Sequence, residues 1–142
     1  MSQIIRDITE IARCGAQYRA DRLEPLDLKG CHASYLTEIC ANPGISQDKL
    51  AKRICINKSN VARQAAVLEE KGFLTRVPSV TDKRIMELHP TSKTLELLPE
   101  ISGTLKCWES CITGDLTPQE LEQLAALLEK MKTRASNYMD GR

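Results

Sequence analysis

The sequence predicts a mainly α fold with a small β-hairpin wing, the arrangement of a winged helix-turn-helix. Three features of residues 45–89 indicate it. Two short helical patterns lie on either side of a tight turn, and the second pattern ends near Gly72. Two strand-like runs follow, joined by a loop that carries Thr81-Asp82-Lys83-Arg84. This order of elements favours an interaction with duplex DNA.

Apolar side chains near the N-terminus recur at helical spacing and predict a long helix over residues 3–20. They form one stripe: Ile4, Ile5, Ile8, Ile11 and Ala12. Pro25 interrupts the chain after this helix, because proline lacks the N–H that a helix interior requires. A shorter helical pattern runs from His32 to Cys40 and ends at Asn42-Pro43-Gly44. Two helices are therefore expected ahead of the helix-turn-helix.

The first helix of the helix-turn-helix is predicted to begin at Ser46, whose hydroxyl can accept a hydrogen bond from an unpaired backbone N–H. Its apolar stripe consists of Leu50, Ala51 and Ile54. Cys55 and Ile56 form the turn, and Asn57 is a second good N-cap that begins the next helix. We include Ser46 and Gln47 among the expected DNA contacts.

The second helix has an apolar face and a polar face. The apolar face carries Val61, Ala65 and Leu68, and the polar face carries Lys58, Ser59, Asn60, Arg63 and Gln64. In a major groove, Asn and Gln can pair with adenine, and Arg can pair with guanine. We therefore expect the polar face to read base edges. The alternative is an ordinary solvated helix face.

The hairpin that follows is the predicted wing, with strands over residues 73–77 and 84–88. It collects positive charge from Arg76, Lys83 and Arg84. An Arg at the tip of a wing can enter the minor groove, where the negative potential attracts it. Asp82 would repel phosphate, so we expect it to pair with a nearby Arg and stabilise the wing. Its alternative role is that of a turn-forming residue.

Charge is distributed unevenly along a chain whose net charge is only +1. Residues 49–84 contain nine Lys/Arg and three Asp/Glu, a net charge of +6. Residues 1–48 carry −2, and residues 85–142 carry −3. The basic surplus thus coincides with the helix-turn-helix and the wing, as expected for a surface that binds DNA.

Two further helical patterns follow Pro90. The first contains Leu95, Leu98, Leu105, Trp108 and Ile112. Pro99 and Gly103 lie inside it and should bend or break it. The second begins at Thr117-Pro118-Gln119-Glu120, a capping box with proline at the first helical position. Its apolar side chains are Leu121, Leu124, Leu127, Leu128 and Met131.

The helices at both ends of the chain have apolar faces without an evident partner. We therefore expect a single domain over residues 1–142 that forms a two-fold homodimer. Residues 1–24 and 91–142 would supply the dimerisation helices, and residues 30–90 the winged helix-turn-helix lobe that binds double-stranded DNA. The alternative is a monomer whose terminal helices cover its own core.

Composition narrows the class of protein further. No apolar run is long enough to span a membrane, and MSQIIRDITEI lacks the apolar core of a signal peptide, so a cytoplasmic location is expected. The six cysteines include no CxxC pair, which disfavours a zinc ribbon. Two histidines, no nucleophile arrangement and no glycine-rich phosphate loop disfavour an enzyme. We expect neither a cofactor nor a resident metal.

With these features in order, the chain resembles the MarR (multiple antibiotic resistance regulator) family over nearly its whole length. The resemblance is strongest in LAKRICINKSNVARQAAVLEEKGFLTR (50–76), in Asp82-Lys83-Arg84 followed by Leu88, and in TPQELEQLAALLEKM (117–131). It implies a homodimer that binds a palindromic operator, usually as a repressor. It also implies that Asp82 is the acid that stabilises the wing. The chain departs from the family where His89 follows Leu88 and Ser92 stands near a usual glycine.

The resemblance also implies that a small-molecule effector binds between the dimer helices and the DNA-binding lobe. Arg13, Tyr18, His32, Tyr35 and Trp108 are our candidates for its pocket. The alternative is that Tyr35 and Trp108 belong to the core or to an interface.

Other relatives sense oxidants or metals. Cys107 and Cys111 are four residues apart, on one face of a helix, and could bind a soft metal or take part in thiol chemistry. The alternative is that they are buried apolar residues. A third hypothesis is a winged helix that binds a protein instead of DNA.

Overall fold

A computed structural model describes residues 2–141, and the chain divides at residue 108 into two compact units. The elements of the first unit begin with α1 (Gln3–Leu23), a 3-10 turn (Glu24–Leu26) and α2 (His32–Ala41). They continue with β1 (Ile45–Ser46), α3 (Gln47–Ile54), α4 (Lys58–Glu70), β2 (Leu74–Pro78) and β3 (Met86–Pro90). Helix α5 (Ser92–Ile112) follows, and α6 (Pro118–Asp140) is the main element of the second unit.

The first long helix, α1, extends three residues beyond its predicted end. Ser2 caps it by accepting from the backbone N–H of Ile5, at 3.5 Å. Pro25 lies near the start of the 3-10 turn, where a missing N–H is tolerated, so α1 is followed directly by this turn. Asp27 then turns the chain in the left-handed conformation, with φ 62°. The predicted helix and its interruption are both present.

The helix-turn-helix consists of α3 and α4, and both predicted caps are present. The Ser46 hydroxyl accepts from the N–H of Lys49 at 3.1 Å, and Asn57 Oδ1 accepts from the N–H of Asn60 at 2.8 Å. Cys55 closes α3 with a positive φ of 57°, which allows its N–H to bond back to the last turn of the helix. These local hydrogen bonds fix where α4 begins.

The sheet has three antiparallel strands in the order β1-β3-β2. The predicted hairpin is present, but its second strand begins two residues later than expected. The reason is that Ile85 takes part in the turn: its N–H donates to Asp82 O at 2.9 Å, and its own carbonyl accepts from Ser79 at 2.7 Å. Strand β1, which the sequence did not predict, pairs Ile45 with Leu88.

The hydrophobic core joins the helix-turn-helix to α2 and the sheet. Its largest fully buried side chains come from all of these elements and include Tyr35, Leu36, Leu50, Leu68, Phe73 and Leu88. Thr94 donates to the carbonyl of Phe73, which ties α5 to the start of the hairpin. These buried contacts set the orientation of α4 and of the wing.

Helix α5 runs without interruption through Pro99 and Gly103, so of the two predicted outcomes the break is wrong, and the bend stays a prediction. A proline removes only one hydrogen bond of the helix, and the buried side chains of Thr94, Ile101 and Thr104 anchor α5 on both sides of Pro99.

Helix α6 has the predicted capping box: Thr117 Oγ1 accepts from the N–H of Glu120, and Glu120 accepts from the N–H of Thr117. The described residues of α6 include none that is buried. Across residues 2–141, every helix is too short or too polar to cross a membrane.

Candidate nucleic-acid interface

One face of α4 is fixed in the core, and this determines which side chains it exposes. Val61, Ala65 and Leu68 are fully buried. Asn57 also accepts from the Ser59 hydroxyl at 2.9 Å, in addition to its capping bond to Asn60. The first turn of α4 is therefore ordered by its own cap.

The exposed face of α4 carries the polar residues expected from the sequence, with one exception. Lys58, Ser59 and Arg63 are exposed, and Asn60 is partly exposed. Gln64 is the exception. The structure places its Oε1 2.8 Å from Nε2 of the buried His32, so one of the two acceptor sites of this oxygen is already used, and a contact of Gln64 with adenine stays a prediction.

Five of the nine cations in residues 49–84 have an acidic partner. The ion pairs are Arg53–Glu38, Lys58–Asp48, Lys71–Asp27, Arg76–Glu69 and Arg84–Asp82. The other four cations, Lys49, Lys52, Arg63 and Lys83, have no ion-pair partner among residues 2–141. An unpaired surface cation loses no internal contact when it meets a phosphate. These four residues are therefore the most available cations of the basic segment.

Arg76, one of the expected DNA contacts, is paired with Glu69 in the structure. Its backbone N–H donates to Glu69 Oε2 at 2.8 Å, and its Nε donates to Glu69 Oε1 at 3.0 Å. These contacts, led by the backbone hydrogen bond, lower the pKa of Glu69 below its ordinary value of 4.5. Arg76 is engaged in joining β2 to α4, because its guanidinium is committed to a partly buried carboxylate.

The turn of the wing is ordered by Asp82 and Arg84. Asp82 Oδ1 accepts from the backbone N–H and from Nε of Arg84, and Oδ2 accepts from Nη2, all at 3.1 Å. The side-chain contacts to Arg84 lower the pKa of Asp82 below its ordinary value of 3.8. The Arg84 side chain is nevertheless 91% exposed, and Lys83 is exposed beside it. The wing therefore presents two cations on a turn that is shaped by its own acid.

Ser46 and Gln47, the remaining expected contacts, lie at the start of α3. Ser46 is engaged as the cap of this helix and pairs with Glu87 in the sheet. Gln47 has its Oε1 buried, without a hydrogen-bond partner within the described residues. Both residues are partly exposed, and their contacts with DNA stay a prediction.

Four of the five candidates for an effector pocket form two pairs of neighbouring rings, and the fifth, Arg13, belongs to neither pair. The rings of Tyr18 and Trp108 lie 5.2 Å apart, centre to centre, and those of His32 and Tyr35 lie 6.3 Å apart, edge to face. His32 and Tyr35 are fully buried, which agrees with the alternative of a core role for Tyr35. Arg13 is exposed on α1.

Cys107 and Cys111 both lie on α5, and both are exposed in the single chain. The alternative that they are buried apolar residues is therefore wrong for the chain by itself. Within residues 2–141, no three His, Cys, Asp or Glu side chains gather closely enough to hold a metal ion.

Lys49 and Lys52 on α3 were not expected from the sequence as DNA contacts. Both line an open cleft of about 620 Å³, together with Asn42, Pro43, Gly44, Ile45 and Arg53. Their only signal in the sequence was their contribution to the basic surplus of residues 49–84.

The fold and the basic face together define a winged helix-turn-helix transcriptional regulator, and comparisons with known proteins identify its family. The MarR family matches residues 32–86. An uncharacterised HTH-type transcriptional regulator from Bacillus subtilis (strain 168), YybA, is 32% identical over 132 residues, which cover 93% of this chain and 88% of that protein. The chain belongs to the MarR family of transcriptional regulators.

Solved structures of transcriptional regulators are similar to most of this chain. The transcriptional regulator SlyA is similar with a TM-score of 0.94 at 29% identity, and the match covers 98% of each chain. A MarR-family regulator from Listeria monocytogenes, solved in complex with a 26mer DNA, has a TM-score of 0.91 at 28% identity. That match covers 96% of this chain and 91% of the other.

Proposed function

We propose that this regulator binds a palindromic double-stranded operator as a homodimer and represses transcription until an effector releases it. The observation that carries the proposal is the exposed face of α4, where Arg63 is a cation without an ion-pair partner among residues 2–141. Helix α4 would enter the major groove, and Lys83 and Arg84 of the wing would reach the adjacent minor groove. The Listeria relative was solved in complex with a 26mer DNA, which supports the proposal that this chain binds DNA.

Exposed apolar side chains on the terminal helices support the homodimer. Helix α1 exposes Ile4, Ile5, Ile8 and Ile11, and α6 exposes Leu124, Leu127, Leu128 and Met131. Monomeric proteins rarely leave such stripes uncovered, so a second copy would cover them. A two-fold dimer would then present two α4 helices to half-sites about 10 base pairs apart.

Repression implies a signal that ends it. We propose that a small effector binds near Tyr18 of α1 and Trp108 of α5, whose tilted rings lie 5.2 Å apart and remain partly exposed. The protein would act in the cytoplasm, where its operator lies. As a regulator, it would carry out no reaction of its own.

The test is fluorescence anisotropy with a duplex from upstream of the protein's own gene and an unrelated duplex of equal length. Binding to the upstream duplex that is at least about a hundredfold tighter would support the proposal, since specific binding typically exceeds non-specific binding by more than this. Sedimentation velocity on the free protein and the complex gives the stoichiometry. Equal, weak binding to several upstream duplexes would favour a winged helix that binds a protein.

Response to thiol chemistry is a second candidate mode of regulation, favoured by the exposure of Cys107 and Cys111. Replacing both by Ser should abolish the release of DNA by peroxide or zinc, while leaving the affinity of the untreated protein unchanged. If the double variant releases DNA as the unmodified protein does, these thiols are not the sensor.

A further inference from the structure

His32, at the N-terminal end of α2, uses both nitrogens of its ring: one bonds to the chain just before α2, and the other bonds to the middle of α4. Nδ1 lies 3.0 Å from the backbone N of Lys29, and Nε2 lies 2.8 Å from Oε1 of Gln64. The side chain is fully buried. Among residues 2–141, it is the only side chain of α2 that is hydrogen-bonded to α4.

The partners of the ring fix where its proton lies. The backbone N–H of Lys29 can only donate, so Nδ1 must accept and carries no proton. A neutral imidazole then has its proton on Nε2, which donates to Gln64 Oε1. In this tautomer both ring nitrogens are satisfied. A cationic ring would instead direct a second N–H at the N–H of Lys29.

The surroundings also favour the neutral ring. Burial is the main cause of the lowered pKa of His32, and the charges of Lys71, beyond the end of α4, and of Lys29 lower it further. The hydrogen bond to Gln64 and the carboxylate of Asp27 act in the opposite direction. Asp27 is itself paired with Lys71, with 3.2 Å between Oδ1 and Nζ. On its own helix, the ring meets the edge of Tyr35.

We propose that neutral His32 is the positioning residue of the DNA-reading helix, holding Gln64 and with it the rotation of α4 against α2. This inference rests on the proposed function, because it assumes that α4 reads DNA. One of the two acceptor sites of Gln64 Oε1 is used by His32, so the amide N–H groups are the more available part of this side chain. Protonation of His32 opposes the link, so DNA affinity falls as the solution becomes acidic.

Three variants test the proposal. His32→Phe keeps a ring of similar size but removes both hydrogen bonds. His32→Gln keeps a donor for Gln64 and an acceptor for Lys29, yet does not titrate. His89→Gln is the matched control, because His89 is the other histidine of the chain and lies partly exposed on β3. Affinity for the upstream duplex is measured from about pH 8 to about pH 5.5, a range that spans the ordinary pKa of histidine.

The expected result is a loss of about tenfold in affinity for His32→Phe at pH 8, from the loss of a buried hydrogen bond. The unmodified protein and His89→Gln should lose affinity as the pH falls. His32→Gln should bind at pH 8 like the unmodified protein and lack this decline. The proposal is overturned if His32→Phe binds normally at pH 8, or if His32→Gln declines with pH as the unmodified protein does.

Nitrogen-15 NMR of the histidine rings tests the positioning role of His32 separately from the proposed function. It should show His32 with its proton on Nε2 and still mainly neutral at pH 6.5, the ordinary value, because its pKa is lowered. The backbone amide of Gln64 should shift in His32→Phe and return in His32→Gln. A His32 ring that carries a proton on Nδ1 near neutral pH would refute the positioning role. This result holds whether or not DNA binding is found, and whether or not His32→Phe folds. An unmodified protein with this NMR signature that binds no duplex would refute the proposed function instead.

Discussion

Arg76 of β2 is bound to Glu69 of α4 by two hydrogen bonds, one from its backbone N–H at 2.8 Å and one from its Nε at 3.0 Å. The carboxylate thereby connects the helix that faces DNA to the first strand of the wing. Both oxygens of Glu69 are used, so this side chain adds a polar link to the core contacts that hold the helix and the wing together. The contact is a structural one, in a segment whose charge suggested DNA binding.

Glu69→Ala should lower the free energy of unfolding by about 1 kcal/mol, because it removes both acceptors of a partly exposed ion pair. Urea unfolding followed by circular dichroism measures the change. Glu70→Ala is the matched control: Glu70 is the next residue of α4, and it is exposed. Equal stability of the two variants would show that the Glu69–Arg76 contact contributes nothing.

The same contact predicts a pH dependence. The pKa of Glu69 is lowered in the folded protein, so the folded state favours the charged carboxylate. Its contribution is present above pH 4.5, the ordinary value, and is lost as the pH falls through the lower folded value. The stability difference between Glu69→Ala and Glu70→Ala should therefore shrink below pH 4.5. A difference that grows in acid would contradict the assignment.

Arg63→Ala should weaken binding to the upstream duplex by about tenfold or more, since a contact between Arg and a base contributes about 1–3 kcal/mol. Arg76→Ala is the control, because the two variants lose the same charge. It should lower stability, while the folded protein keeps its affinity within about twofold. Anisotropy at a temperature where both variants are folded separates them. The assignment fails if the two variants lose affinity equally.

Asp82→Ala should weaken DNA binding although it makes the protein more positive. Asp82 orders the turn of the wing through three hydrogen bonds to Arg84, and a disordered wing must be fixed again on binding. Glu70→Ala removes the same charge without disturbing the wing, so it should bind as tightly as the unmodified protein or more tightly. Tighter binding by Asp82→Ala would mean that the acid only repels DNA.

The sequence predicts best those features that depend on neighbouring residues. Ser46, Asn57 and Thr117 were recognised as caps because a cap needs only a suitable side chain and the first turn of its own helix. Strand β1 was missed because it is only two residues long and exists through pairing with β3, more than 40 residues away. The spacing of apolar residues along the chain does not indicate such a long-range pairing.

The candidate DNA-binding site shows the same difference between local features, which the sequence predicts, and long-range contacts, which it does not. The exposed face of α4 follows from the spacing of Val61, Ala65 and Leu68. The contacts of Gln64 do not, because they depend on His32, 32 residues earlier in the chain. The hydrogen bonds between Arg76 and Glu69 likewise depend on how β2 packs against α4. Composition locates positive charge, whereas tertiary structure determines how much of it is free to meet DNA.

Ile8→Glu on α1 should raise the dissociation constant of the proposed homodimer by at least about tenfold, because an unpaired charge would be buried in the interface. Sedimentation velocity over a range of concentrations measures the change. Val80→Glu is the control, since Val80 is 97% exposed on the wing and lies outside both terminal helices. An unchanged dimer in Ile8→Glu would exclude this part of α1 from the interface.

The most direct test of the central claim, that α4 and the wing bind operator DNA, is the salt dependence of binding to the upstream duplex. Anisotropy titrations at several salt concentrations give the slope of log affinity against log salt. Each phosphate contact contributes roughly −0.9, so a dimer that places Lys49, Lys52 and Lys83 of each subunit on phosphates should give a slope of about −5. A slope near zero, with equal affinity for an unrelated duplex, would contradict the claim.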